Sequence, residues 1–284
     1  MEIFTYFIIM IKIEIKFIKK KKKKMKVATW NINECIGITC NLENQKTVEE
    51  INIKNIEEVV KKVNEYDFDV ICFQEYPTYI NKDESLTNEL LSKTKLKYCE
   101  TYDTYNSYLF KGGRVGVAIF SKYEIKDIFK TLFTNPHMVK HSSSGNTYYS
   151  FDKGIIKVVI KVVDEEFTII TGHAMAFAPF DKTEFDYPES YKPLEELIKN
   201  SKDSNLIVLG DFNTEKLFDL IPEIKNDVID IVNSQTTKDY YENRGEVQMD
   251  YILINNKLSS NNKYKIDNFS DHYIIGANIL KKQI

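Results

Sequence analysis

The sequence predicts an α/β protein of mixed β-sheets with helices on their outer sides. Two observations carry this: short apolar runs alternate with segments of helical period, and helix-linked strands are interspersed with a hairpin. Val27 to Ile32 reads as a buried strand. Val48 to Tyr66 follows as an amphipathic helix, with Val48, Ile51, Ile56, Val59, Val60 and Val63 on one face. Val70 to Phe73 and Val115 to Phe120 are the next strands, the latter entered through Gly112-Gly113. Ile155 to Val163 and Phe167 to Thr171 form a hairpin around Asp164-Glu165-Glu166. A helix covers Leu194 to Ile198 after Pro193, which suits a first turn. Leu206 to Leu209, Tyr251 to Ile254 and Tyr273 to Ile279 complete the strands.

The composition excludes several classes. In a chain of 284 residues, 43% are hydrophobic and 29% charged, ample for a packed core and unlike a disordered or fibrous protein. Cys35, Cys40, Cys72 and Cys99 have neither CxxC nor zinc-ligand spacing and read as reduced thiols. Residues 1–24 carry eight lysines against two glutamates, which leaves Met25 to Ile284 nine charges negative. An acidic body argues against tracking along a nucleic-acid backbone. Lys12, Glu14 and Lys16 interrupt the N-terminal apolar run well short of the roughly 20 residues a spanning helix needs. Residues 1–24 therefore read as a translated leader ahead of Met25, residues 25–284 as one domain, and the location as cytoplasmic, with no obligate protein partner.

Polar residues stand at the strand ends. The first strand runs into Asn31-Ile32-Asn33, the second into Gln74-Glu75, the hairpin's return into Gly172-His173, and the next into Gly210-Asp211-Phe212-Asn213. A later strand starts at Asp250 and the last follows Ser270-Asp271-His272. Alone, Asn31 and Asn33 would pass for turn residues and Asp211 for an Asx turn or a helix cap. Together they form a chemistry. Glu75 with oxygen donors such as Asn33 and Asp271 suits a hard cation, Mg²⁺ first and Mn²⁺ as its substitute. Two histidines near carboxylates move protons near neutral pH. Such a set suits in-line attack of water on a phosphorus ester.

The blocks TWNIN (29–33), DVICFQE (69–75), GVAIFSK (116–122), TGHA (171–174), LGDFN (209–213), MDYILI (249–254) and SDH (270–272) resemble, in order, the signature of the endonuclease/exonuclease/phosphatase superfamily. The resemblance implies a four-layer α/β sandwich, two mixed β-sheets face to face with helices outside. It implies Glu75 as principal metal ligand supported by Asn31, with Asn33 and Asp271 beside the metal. It implies His272 as general base oriented by Asp250, and Asp211 and Asn213 as the pair that positions water and stabilises the transition state. The base assignment between His272 and Asp211 stays open. His173 matches the second histidine of the deoxyribonuclease-I-like and sphingomyelinase-like branches, contacting phosphoryl oxygens or protonating the leaving group. A phosphodiester of DNA or RNA is then the first substrate class. A small-molecule, phosphoinositide or sphingomyelin-type ester comes second, and a non-catalytic binding module last.

Two further segments matter. Arg114 is a phosphate contact or a surface salt-bridge partner. His137 has no site context, and His141 to Asn146 reads as a mobile loop. The segment after His173 carries Met175, Phe177, Phe180, Phe185, Tyr187 and Tyr191, either an aromatic wall for substrate or a loop folded on its own rings.

Overall fold

A computed structural model describes residues 24–35, 46–47, 53–78, 86–107, 110–143, 145–232, 234–238 and 245–282. In chain order its main elements begin with β1 (Lys24–Asn31), α1 (Ile53–Tyr66), β2 (Val70–Thr78), α2 (Leu86–Lys93), β3 (Tyr98–Asn106) and β4 (Arg114–Ser121). Then come β5 (Ile125–Leu132), β6 (Val139–His141), β7 (Thr147–Tyr149), β8 (Gly154–Val162) and β9 (Glu165–His173). The chain continues with α3 (Lys192–Ser201), β10 (Asn205–Asp211), the single turn α4 (Leu217–Leu220) and β11 (Val228–Asp230). It ends with β12 (Asp250–Asn255), β13 (Leu258–Ile266) and β14 (Ile274–Lys281).

Two six-stranded mixed sheets result, ordered β13-β14-β1-β2-β4-β3 and β11-β12-β10-β9-β8-β5. Each has one parallel pair at its centre, β1 with β2 and β9 with β10, and antiparallel pairs elsewhere. Three apolar layers fill the spaces between four structural layers. Between the sheets lie Val27, Val70, Ile119, Val158, Ile207 and Ile252. Outside the first sheet, Trp30, Phe73 and Phe120 pack against Ile56, Val59 and Val63 of α1 and Leu86 and Leu90 of α2. Outside the second, Ile170, Val208 and Leu253 pack under Leu194 and Ile198 of α3. The predicted four-layer sandwich is the observed fold.

The predicted interior strands are all present, most of them extending past their apolar runs. Of the predicted helix from Val48, Ile53–Tyr66 is α1 and residues 48–52 lie outside the described residues. The leader expectation likewise falls outside them, except that Lys24 pairs with Leu280 at the start of β1. Of the loop expected from His141 to Asn146, His141 falls in β6, which pairs with β7 (Val139 opposite Tyr149 and His141 opposite Thr147), and the described residues from Ser142 to Asn146 lie outside the strands. The segment after His173 folds on its own rings. Met175, Phe177 and Tyr191 are buried, Phe177 stacks on Tyr187, and Phe185 is left exposed. Among the described residues no helix is long and apolar enough to cross a membrane, and Cys35, Cys72 and Cys99 are free thiols.

Candidate active site

The inter-sheet faces of the central strands change from apolar to polar at the same end. Alternate residues of a strand share a face, so on β1 the buried Met25 and Val27 are followed in phase by Thr29 and Asn31. On β2, Val70 and Cys72 are followed by Gln74, and on β9 Phe167 and Ile169 by Thr171 and His173. On β10, Ile207 and Leu209 lead to Asp211, while antiparallel β12 begins with Asp250 ahead of Ile252 and Ile254. The site is the polar end of the inter-sheet core.

Hydrogen bonds stitch the two sheets together there. Thr29 Oγ1 donates to Gln74 Oε1 at 3.0 Å, and Gln74 Nε2 donates to Thr171 Oγ1 at 3.1 Å. Asn31 Nδ2 donates to Asp211 Oδ2 at 2.9 Å, and Asn213 N donates to Asp211 Oδ1 at 3.0 Å. Burial pushes the Asp211 carboxyl up to about 7; His272 opposes this, Asp250 adds to it, and the donor bonds from Asn31 and Asn213 oppose it. His272 Nδ1 lies 2.8 Å from Asp250 Oδ2, and its Nε2 lies 3.7 Å from Asp211 Oδ2. Burial works to lower the His272 pKa, but Asp250, Asp211 and Asp271 outweigh it and hold the imidazole well above its ordinary value. His173 Nε2 faces the same space, 3.6 Å from Asp211 Oδ2 and 3.9 Å from Glu75 Oε1.

The backbone is strained where it presents these groups. Asn33, Glu34 and Cys35 form a left-handed turn with φ of 44°, 51° and 61°. Two hydrogen bonds fix it: Asn33 N donates to the side-chain Oδ1 of Asn31 at 3.0 Å, and Cys35 N donates to Ile32 O at 2.8 Å. Glu75, with φ of 48°, is the extra residue of a bulge where the β2–β4 register slips between Gln74 and Tyr76. Asn213 also has positive φ, at 49°. Such outliers persist where the surroundings fix them and cluster at functional sites.

Glu75, Asp271 and Asn33 provide an all-oxygen set. Asn33 Nδ2 lies 3.5 Å from Asp271 Oδ1, and Ser270 Oγ, which donates to Asn31 O at 2.7 Å, holds this loop against β1. Burial raises the Glu75 pKa, Lys153 opposes this, and the charge of Asp271 raises it further. Two mutually repelling carboxylates with oxygen neighbours fit a hard divalent cation, which would relieve the repulsion. Among the described residues, the group of three acidic or histidine side chains with ligand spacing is Asp211, Asp250 and His272, whose donor atoms lie within 4.8 Å of one another. There the Nδ1 of His272 is already taken by Asp250.

Arg114 is not brought into this cluster. Its guanidinium bonds Asp103 Oδ2 at 3.0 Å and Asn106 Oδ1 at 2.9 Å. The structure adds two residues that sequence reasoning missed. Glu34 is fully buried beside Glu75 and Lys153, bonded to Ser107 Oγ through one oxygen; burial pushes its carboxyl up to about 8. Lys153 is buried with Nζ 3.3 Å from His173 Nδ1. No local sequence signal marks either, since one follows the strand-end asparagines and the other merely precedes a strand.

The family model for the endonuclease/exonuclease/phosphatase family matches residues 28–272. The chain belongs to this family. Its members hydrolyse phosphoester bonds. Solved structures agree in fold. A family protein from Leptotrichia buccalis is 18% identical with a TM-score of 0.63, covering 90% of this chain and 99% of its own. The human nocturnin catalytic domain with bound sulfate is 15% identical with a TM-score of 0.63, covering 92% and 97%. A mannosyl-6-phosphatase from Bacteroides thetaiotaomicron is 15% identical with a TM-score of 0.59, covering 90% and 99%. No curated protein sequence matches the chain significantly.

Proposed function

We propose that the protein is a divalent-metal-dependent phosphoesterase, acting in the cytoplasm on a phosphodiester by in-line attack of water. The observation that carries this reading is the carboxylate-oriented histidine: His272 bound to Asp250 at 2.8 Å, facing Asp211 beside the Glu75 oxygen cluster. Glu75, Asp271 and Asn33 would hold Mg²⁺ or Mn²⁺. When bound, the cation supplies neutralising charge for the phosphoryl oxygens.

The chain's own groups do the rest. Asp211, held through both carboxylate oxygens by Asn31 and Asn213, orients the attacking water. Asp211 and His272 lie 3.7 Å apart, and the charge of each shifts the proton affinity of the other, so the base is the pair rather than either residue. Asp250 fixes the His272 ring, and His173 offers its Nε2 side to the substrate. Asn213 acts mainly by closing the loop, since its Nδ2 donates to Ala174 O at 3.0 Å.

Within the diesters a nuclease is the activity to test first. One observation favours a compact ester instead. The segment after His173 carries Asp181, Glu184, Asp186 and Glu189, and Lys140 beside it is paired with Asp181 at 2.9 Å. The test incubates the full chain and its His272→Ala variant with supercoiled plasmid, and with bis(p-nitrophenyl) phosphate, each with Mg²⁺ or Mn²⁺. Nicking by the wild type alone supports the nuclease. Turnover of the small diester without nicking, at a KM insensitive to salt, supports the compact ester. Neither activity in a folded protein overturns the reading.

A further inference from the structure

His272 and Asp250 reach their 2.8 Å contact from different sheets. Asp250 opens β12 in the second sheet, and His272 lies two residues ahead of β14 in the first. The contact therefore depends on how two separate chain segments are held against each other. The strand pairing stops short of supplying this. β11 pairs with β12 only over Leu253–Asn255, so towards the site the outer edge of β12 needs another partner.

Thr236 is that partner, and it is fully buried. Its Oγ1 accepts from Met249 N at 2.9 Å and from Asp250 N at 3.0 Å. Its carbonyl oxygen accepts from Tyr273 N at 2.8 Å, the amide that follows His272. One residue thus grips the backbone of Asp250 from one sheet and the backbone beside His272 from the other. Its neighbours fasten the same two segments. Thr236 N and Thr237 N donate to Val247 O at 2.8 and 3.0 Å, and Thr237 forms an antiparallel bridge with His272. Lys238 N donates to Asp271 O at 2.7 Å, and its Nζ pairs with Asp267 at 2.7 Å.

We propose that Thr236 is a positioning residue for the reaction, its hydroxyl setting where Asp250 stands relative to the His272 ring. The inference rests on the phosphoesterase reading for the turnover it affects. A threonine hydroxyl has two acceptor lone pairs, enough for both amides. Valine fills the same volume without them and leaves two buried N–H groups unpaired. The turn into β12 must then shift to find other acceptors, carrying the Asp250 carboxylate off the ring. Displacements on the order of 1 Å at a catalytic group cost up to about 10²-fold in rate. Substrate binding does not pass through this residue, so the cost falls on kcat.

The test compares Thr236→Val, Thr236→Ser and Thr237→Val in the full chain, with bis(p-nitrophenyl) phosphate and with supercoiled plasmid. Thr237 Oγ1 accepts from Val247 N at 3.1 Å and donates to Val247 O at 3.2 Å, so Thr237→Val loosens the same segment without touching the Asp250 amide. In folded Thr236→Val, kcat should fall about ten-fold or more while KM stays within about twofold of wild type. Thr236→Ser keeps the hydroxyl and should recover most of that loss, and Thr237→Val should stay within about threefold of wild type. An unchanged kcat in folded Thr236→Val overturns the proposal. So does a fall of equal size in Thr236→Ser or in Thr237→Val. Should Thr236→Val fail to fold, hydrogen exchange of the wild type decides. The amides of Met249, Asp250 and Tyr273 should be as protected as those inside β12 and β14, and exchange at loop rates overturns the proposal. Wild-type protein without turnover of either diester would overturn the functional reading instead, since the exchange measurement does not depend on activity.

Discussion

His173 and Asp211 occupy opposing register positions at the carboxyl ends of the parallel strands β9 and β10, with His173 Nε2 3.6 Å from Asp211 Oδ2. Parallel strands deliver their last residues to the same edge. β1 and β2 do likewise in the facing sheet, pairing Asn31 with Gln74. Two parallel pairs packed face to face thus bring four strand ends to one place, and Asn31 spans the gap to Asp211 at 2.9 Å. Apolar packing of the remaining length sets the distance between them.

That juxtaposition depends on the preceding register pair, Gly172 opposite Gly210. A Cβ at Gly210 would fall 2.3 Å from Gly172 O, a backbone atom that cannot swing aside. Gly210→Ala must therefore part β9 and β10 next to the site. We expect a loss of roughly 2 kcal/mol or more of stability by urea unfolding, and a fall in turnover larger than the unfolded fraction explains. A variant within a few tenths of a kcal/mol of the wild type would refute the close-approach argument.

Glu75 lies at φ of 48° in its bulge, a conformation in which a β-carbon is a burden. Glu75→Gly and Glu75→Ala both remove the carboxylate and should both be inactive. Millimolar Mg²⁺ should raise the melting temperature of the wild type, and both variants should lose that rise. They should differ in stability, with Gly ahead of Ala by roughly 1 kcal/mol because it adopts positive φ without strain. Equal melting of the two variants would argue against backbone strain at this position.

The interior of the fold is legible in the sequence because its strands are covered on both faces and so read as continuous apolar runs. The strands without such a run are the sheet edges, β3, β5, β11 and β13. β5, for example, exposes most of Ile125–Leu132, and its Lys and Asp residues hide the period. At the site, the in-phase polar positions Asn31, His173 and Asp211 are legible as polar ends to apolar strands. Glu34 and Lys153 are not. Three successive left-handed residues bring Glu34 in, and the sheet-end position of β8 brings in Lys153. Neither placement follows from local residue preference.

Asp250 has one carboxylate oxygen on His272 Nδ1, and its other, Oδ1, is buried without a hydrogen-bond partner among the described residues. An asparagine there can present either its oxygen or its NH₂ to the ring. Presenting NH₂ reverses the ring's tautomer, and presenting oxygen keeps it but removes the charge that supports a protonated imidazole. Asp250→Asn should therefore lower kcat by about 10²-fold or more, with KM nearly unchanged and circular dichroism intact. A kcat within threefold of wild type would show that Asp250 does not act through His272.

Asp230 offers a pH test away from the proposed catalytic groups. Burial pushes its carboxyl up to about 6, against Gln248 Nε2 donating to Oδ2 at 2.7 Å and Val232 N donating to Oδ1 at 2.9 Å. A folded-state pKa above the unfolded value of about 3.9 means that folding favours the protonated acid. Its contribution is therefore intact below about pH 4 and is lost as pH rises through about 6. Asp230→Asn carries no charge at any pH, and Gln248 can turn its amide to accept from the new NH₂. The stability of Asp230→Asn relative to wild type should rise by roughly 2 kcal/mol between pH 4 and pH 8, read from urea midpoints at the two values. A difference that stays constant with pH would show that the Asp230 carboxylate is not penalised by burial.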